Sequence, residues 1–259
     1  NDDRVAAIRR LAAIGREDLA GVMYRHMAKT LPTAGQMALL IRLAESQGWH
    51  HWAVRVGKEG IQRDMDMELL AYPLRGLPAN PDFSGMEPSL AFALARQESE
   101  FNQSVVSSAG AVGIIQVMPA TGADAAKTLG IAFDRNRWRN DPHYNLRLGT
   151  AYVQKLIDNY DGHYVMAIAG YNAGPGRIKE WVQRFGDPRD PKVDIVDWME
   201  LIPFGETRNY VHRVLENLQI YRFKRENRGL ELAKDLRRGV GARGADATPT
   251  GSIARPNAN

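Results

Sequence analysis

Three prolines within ten residues, Pro73, Pro78 and Pro81, constrain this chain more than any other feature. Proline lacks a backbone donor and restricts the residue before it, so Tyr72-Pro73-Leu74-Arg75-Gly76-Leu77-Pro78-Ala79-Asn80-Pro81 has no regular helix. On either side, apolar residues recur at helical spacing. Before the prolines the pattern runs through Ile8, Leu11 and Ala12, then Leu19 to Met27, then Met37 to Ala44, then Trp52 and Val56, with breaks at Gly15, Leu31-Pro32-Thr33 and Gln47-Gly48. Short helices stacked in this way predict a solenoid-like segment. After the prolines, helices are predicted at Pro88–Ser99, Pro119–Leu129, Pro142–Tyr160 with Asp141 as N-cap, His163–Tyr171, Gly176–Phe185 and Glu206–Glu226. The expected division is therefore a helical segment and linker over 1–77, a second helical body over 78–228, and a flexible basic tail over 229–259. Strand-like material is confined to Val112–Met118 and nearby loops.

The composition is that of a globular chain, 44% hydrophobic and 25% charged. No stretch approaches the roughly 20 uninterrupted apolar residues of a spanning helix, so no stable membrane insertion is expected. Absence of cysteine removes disulfides, thiolate metal sites, cysteine nucleophiles and lipidated cysteines together. The formal charge is +4, but Arg222 to Asn259 hold nine Lys/Arg against four Asp/Glu, leaving the rest close to neutral. A nucleic-acid partner, which needs a basic face on a folded body, is not expected. His50 and His51 are adjacent and the other four histidines scattered, so no metal ligand spacing emerges. The glycines lack any phosphate-loop context, and no cofactor is expected.

Four segments could carry chemistry. On the helix that holds Leu90, Ala91 and Leu94, a 100° step places Glu98 within the apolar stripe, while Arg96 and Glu100 share the opposite face at i, i+4 spacing as surface partners do. A carboxyl buried among Leu and Phe keeps its proton to higher pH and can act as a general acid. The same pattern also fits a buried acid paired with an arginine. The run Ser107-Ser108-Ala109-Gly110-Ala111-Val112-Gly113-Ile114-Ile115-Gln116-Val117-Met118-Pro119 combines a small-residue loop with an extended segment on which Gln116 and Met118 share one side; a tight turn with a core Met is the plainer alternative. Gly170-Tyr171-Asn172-Ala173-Gly174-Pro175-Gly176-Arg177 ends a helix with a ring and an amide suited to sugar, or forms a simple helical corner. Ile202-Pro203-Phe204-Gly205-Glu206-Thr207-Arg208-Asn209-Tyr210-Val211 opens another helix, where an acid is favoured by the dipole alone and Tyr210 fits a core position.

Together, Arg96-Gln97-Glu98-Ser99, Gly110 to Pro119, Gly170 to Arg177 and Ile202 to Val211 resemble the soluble lytic murein transglycosylases of family 1 in order and spacing over about Tyr72–Arg222. The resemblance implies a mainly α, goose-type lysozyme-like catalytic domain with minimal strand, preceded by a short α-superhelical segment. It also implies that Glu98 is the catalytic acid, followed by Ser99, and that Ser107, Gln116, Met118, Tyr171, Asn172, Glu206 and Tyr210 line a glycan groove. Ile114-Ile115 stands where Leu-Met is usual and Gly170 where Ala is usual, changes that bear on subsite shape rather than chemistry.

The activity so implied is non-hydrolytic cleavage of the β-1,4 bond between MurNAc and GlcNAc in peptidoglycan, by substrate-assisted acid/base catalysis that leaves 1,6-anhydroMurNAc. The implied partners are peptidoglycan glycan strands and the implied location is the bacterial periplasm. Two rivals remain: a hydrolytic muramidase of the same fold, with Glu206 or Asp197 activating water, and a non-catalytic peptidoglycan-binding scaffold.

Overall fold

The computed structural model describes residues 2–241. The described helices are α1 (Asp3–Ala13), α2 (Glu17–Thr30), α3 (Ala34–Ser46), α4 (His50–Gln62), α5 (Pro88–Glu98), α6 (Pro119–Thr128), α7 (Arg135–Asn140), α8 (Pro142–Asn159), α9 (Tyr164–Ala173), α10 (Pro175–Phe185), α11 (Ile195–Glu200), α12 (Gly205–Glu226) and α13 (Leu232–Leu236). Pairing outside helices is limited, among the described residues, to bridges between Val106 and Val112 and between Val112 and Val117. The mainly helical expectation holds.

Local chemistry accounts for the boundaries. Thr33 caps α3 through Gln36 N, and Asp134 caps α7 through Asn136 and Arg137 N. Asp141 Oδ1 accepts from His143 and Tyr144 N at the start of α8, as its sequence position predicts. Proline opens α5, α6 and α10, where its missing donor costs nothing. The helices α7, α11 and α13 have no counterpart in the sequence reading, because five or six residues are too short to display a period.

The chain divides into two compact units, Asn1–Lys155 with His212–Leu230 and Leu156–Val211 with Glu231–Asn259. In the first, α1 packs on α2, and α4 on both α2 and α3, around a core that includes Ile8, Tyr24, Met27, Met37, Ile41 and Trp52. The Tyr24 and Trp52 rings stack at 5.8 Å, and Gly21 admits the Trp52 ring where any side chain would collide with it. All eight residues from Ser89 to Arg96 of α5 are buried. The C-terminal part of α12 returns to this unit. There Arg222, fully buried, donates to Glu87 at 2.7 Å beside the first turn of α5, and Asn217 Oδ1 accepts from Arg96 at 3.0 Å.

In the second unit, α9 is buried over Tyr164–Gly170 and packs against α10 and α13. Trp181, Trp198 and Phe204 meet edge to face. Arg189, nearly buried, bridges Asp161 and Asp187. The segment expected as a flexible tail is in part ordered: α13 rests on α9, Asp235 is wholly buried, and Arg238 lies over the Tyr164 ring at 4.2 Å. The composition that suggested a tail begins only at Gly239, and residues 242–259 of that tail lie outside the described residues.

Candidate active site

Glu98 is the last residue of α5, half-buried where a helix buried from Ser89 to Arg96 emerges. The apolar-stripe picture needs correction. With every side chain from 89 to 96 buried, α5 has no polar face, and what sets Glu98 apart is its place at the helix end. Nor do Arg96 and Glu100 pair at the surface. Arg96 is buried, donating to Ala71 O at 3.1 Å and to Asn217, and sits 3.9 Å over the Tyr72 ring.

Glu100 lies beyond the helix with φ of 54°, and Phe101 follows with φ of 69°. Two successive left-handed residues with side chains cost about 1–3 kcal/mol each and persist only where surrounding contacts over-determine them. Phe101 is held by burial against Phe92 and Tyr221, over Gly76, where a Cβ would overlap its ring. The Glu100 carboxylate receives Arg55 Nε at 2.7 Å and Lys58 Nζ at 2.6 Å, both from α4. Burial alone would raise that carboxyl, but the hydrogen bonds from Lys58 and Arg55 outweigh it and hold it below the usual carboxylate range.

Ser99 is buried, and its Oγ donates to Ile114 O at 2.6 Å, fastening the next loop to the end of α5. That loop is a tight turn rather than the extended segment expected from sequence. Val112 and Val117 exchange backbone hydrogen bonds at 3.1 and 2.9 Å, with Gly113 and Gln116 left-handed between them. Gln116 and Met118 therefore do not alternate along one strand. Gln116 Nε2 donates to Gly113 O at 2.8 Å, and Met118 stands outside the turn, 38% exposed. The turn is gripped from behind by Asn145 Nδ2, which donates to Val112 O at 3.2 Å and Trp138 O at 2.9 Å, and by Trp138 Nε1, which donates to Val117 O. A Cβ on Gly113 would come within 2.4 Å of Asn145 Oδ1, so no other residue fits. Ser107, half-buried, accepts from Ala111 N at 2.9 Å in the preceding loop. Ile114 and Ile115 are core residues, Ile115 against Gly149, so their departure from Leu-Met alters the seat of the turn and not an exposed surface.

In the second unit, Tyr171 and Asn172 are half-buried at the end of α9, next to Gly174 with φ of 90° and the exposed Pro175 and Gly176. Asn172 Oδ1 accepts from the buried Thr207 Oγ at 2.6 Å, which ties the end of α9 to the first turn of α12. Glu206 is exposed, and Tyr210 is buried. Gly170 faces Ile178 and Tyr160 at 3.3–3.4 Å from a would-be Cβ, a gap that alanine fills tightly. Sequence reasoning passed over the exposed Phe204, which meets Trp181 at 5.7 Å and the Arg177 guanidinium at 5.3 Å. An aromatic beside the Ile-Pro-Phe-Gly turn was the available signal. Among the described residues, no three His, Asp or Glu side chains gather to hold a metal ion.

Residues 80–193 match the family model of the transglycosylase SLT domain. A soluble lytic murein transglycosylase of Escherichia coli is 38% identical over 136 residues, 52% of this chain and 20% of that protein. A putative soluble lytic murein transglycosylase of Haemophilus influenzae is 29% identical over 81% of this chain and 35% of its own length. Among solved structures, the 70 kDa soluble lytic transglycosylase of Escherichia coli superposes with a TM-score of 0.70 at 29% identity, over 86% of this chain and 36% of that one. A complex of a 70-kDa soluble lytic transglycosylase with bulgecin A superposes with a TM-score of 0.73 at 28% identity, over 90% of this chain and 37% of that one. The chain thus spans about a fifth to a third of the length of these curated relatives. Glu98, Ser99 and the Val112–Val117 turn all fall within the residues that match the transglycosylase SLT domain model.

Proposed function

We propose that the chain is a lytic transglycosylase that cleaves the β-1,4 bond between MurNAc and GlcNAc of peptidoglycan without consuming water. The observation that carries the reading is Glu98 at the open end of a buried helix, beside a turn clamped by Ser99, inside the matched domain. Glu98 gives its proton to the glycosidic oxygen as the C1–O bond breaks and the bonding pair leaves with GlcNAc. The MurNAc 2-acetamido oxygen bonds to C1 as an oxazolinium-like intermediate. The Glu98 carboxylate then takes the proton of the C6 hydroxyl, whose oxygen attacks C1 and reopens that ring, closing 1,6-anhydroMurNAc and restoring the acid. One acid/base residue of this kind is worth roughly 10²–10⁴ in rate, and positioning of the sugar supplies the rest.

Gln116 and Met118 of the first unit, and Tyr171, Asn172 and Glu206 of the second, are each assigned to glycan binding. Ser99, Ser107 and Tyr210, whose polar or apolar parts are already engaged or buried, act by holding the walls beside them. The proposed division of labour follows the sequence, with a helical segment over 1–77 and a catalytic domain over 78–228. A peptidoglycan substrate places the protein in the periplasm; none of the described helices is long and apolar enough to cross a membrane. The test is incubation with purified murein sacculi and mass analysis of the released muropeptides. Anhydro ends are expected. Reducing MurNAc ends, heavier by one water, would establish a hydrolase, and binding without release would establish a scaffold.

A further inference from the structure

We propose that Glu100 is a positioning residue for Glu98, and that α4 sets the reach of the acid through it. The inference rests on the reading of Glu98 as the proton donor. Glu100 follows Glu98 by two residues, and with Phe101 it forms the left-handed pair that ends α5. A backbone of this kind relaxes toward right-handed values unless its side chains are held. Phe101 is held by burial, whereas Glu100 is held by charge: Oε2 receives Arg55 and Oε1 receives Lys58, one cation for each oxygen. The Glu100 side chain is 20% exposed, far less than its two partners.

Arg55 and Lys58 stand three residues apart on one face of α4, so they address the same carboxylate. Arg55 is itself oriented, its guanidinium 5.2 Å from the Trp52 ring, and Trp52 is stacked on Tyr24 in the N-terminal core. A continuous run of contacts thus leads from that core through α4 to the turn that fixes the direction of Glu98. Ion pairs with two partly exposed cations contribute little to global stability. Their effect is on geometry, to which an acid that must meet a glycosidic oxygen at hydrogen-bond distance is acutely sensitive. The N-terminal helices are on this account part of the catalytic apparatus.

The test compares wild type with Glu100→Gln, the double variant Arg55→Ala/Lys58→Ala, and Arg16→Ala, which removes an exposed ion pair elsewhere on the N-terminal helices. Glu100→Gln keeps the length of the side chain and the backbone preference while removing the charge that holds Arg55 and Lys58. Release of anhydro-muropeptides at saturating sacculi is expected to fall by roughly ten- to a hundredfold in the first two, with half-saturation within about twofold of wild type and unchanged thermal unfolding, and to persist in Arg16→Ala. The ¹³C carboxyl resonance of Glu98, assigned by its disappearance in Glu98→Gln, is expected to shift or broaden in the same two variants. An unmoved resonance with wild-type turnover overturns the proposal, as does a loss of turnover that merely follows the unfolded fraction. Should wild type release no anhydro product, the functional reading fails, and the resonance still decides whether Glu100 positions Glu98.

Discussion

At the end of α5, the Ser99 hydroxyl reaches Ile114 O at 2.6 Å, Asn145 and Trp138 hold both arms of the adjoining turn, and Gly113 touches Asn145 with no room for a methyl group. At the end of α9, one hydrogen bond joins Asn172 to Thr207, while Pro175, Gly176 and Glu206 beside it are exposed. The first region is braced through the helix end and the turn beside it, while in the second the Asn172 amide is tied to the start of α12 next to exposed residues. Proton transfer demands sub-ångström placement, whereas sugar binding through a ring and an amide tolerates adjustment. The difference in construction matches the difference in assigned task.

The comparison can be broken most directly at Glu98. Glu98→Gln keeps the shape and removes the proton, so release of anhydro-muropeptides should drop by roughly 10²–10⁴ while binding to sacculi and thermal unfolding stay as in wild type. Normal release would remove the first region from the chemistry. Ser99→Ala should come next, with turnover lowered by roughly tenfold or more and unfolding free energy reduced by about 1–3 kcal/mol, because Ile114 O loses its buried donor. Chemical denaturation paired with the turnover assay separates the two effects. Thr207→Val, isosteric and unable to donate, should raise half-saturation severalfold with little change in maximal turnover, since Asn172 loses its tether and not its amide. A fall in maximal turnover instead would mean that the second region is held as strictly as the first.

The smallest effect concerns acid. His163 caps α9, with Nδ1 accepting from Met166 N, and burial together with nearby Arg189 lowers its pKa from 6.5 to about 4. The folded protein thus keeps His163 neutral where the unfolded chain binds a proton. The stability this contributes is whole above pH 6.5 and is lost as pH falls toward 4, by up to about 3 kcal/mol. His163→Asn, which can still cap the helix, should flatten that decline in thermal unfolding measured across pH 4–7.

Much of this was legible from sequence because the signals are local. The Asp141 cap and the prolines that open α5, α6 and α10 follow from residues within a turn of one another. The features that escaped depend on partners far away in the chain. Arg96 looked like a surface residue because the opposite side of α5 was assumed to face water, and Asn217 of α12 fills that side. Glu100 looked unremarkable because its cations come from 42 and 45 residues upstream. Gln116 was placed on an extended strand because apolar alternation cannot distinguish a strand from a turn whose middle residues are left-handed.

The buried Arg222 that grips Glu87 across 135 residues carries a consequence for biosynthesis. Until the chain has been made as far as that arginine, the entrance to the helix bearing Glu98 retains an unneutralised carboxylate in a site built to be dry. A partly synthesised polypeptide is therefore unable to settle the start of that helix, and the surroundings of Glu98 take their final form only after α12 has been made.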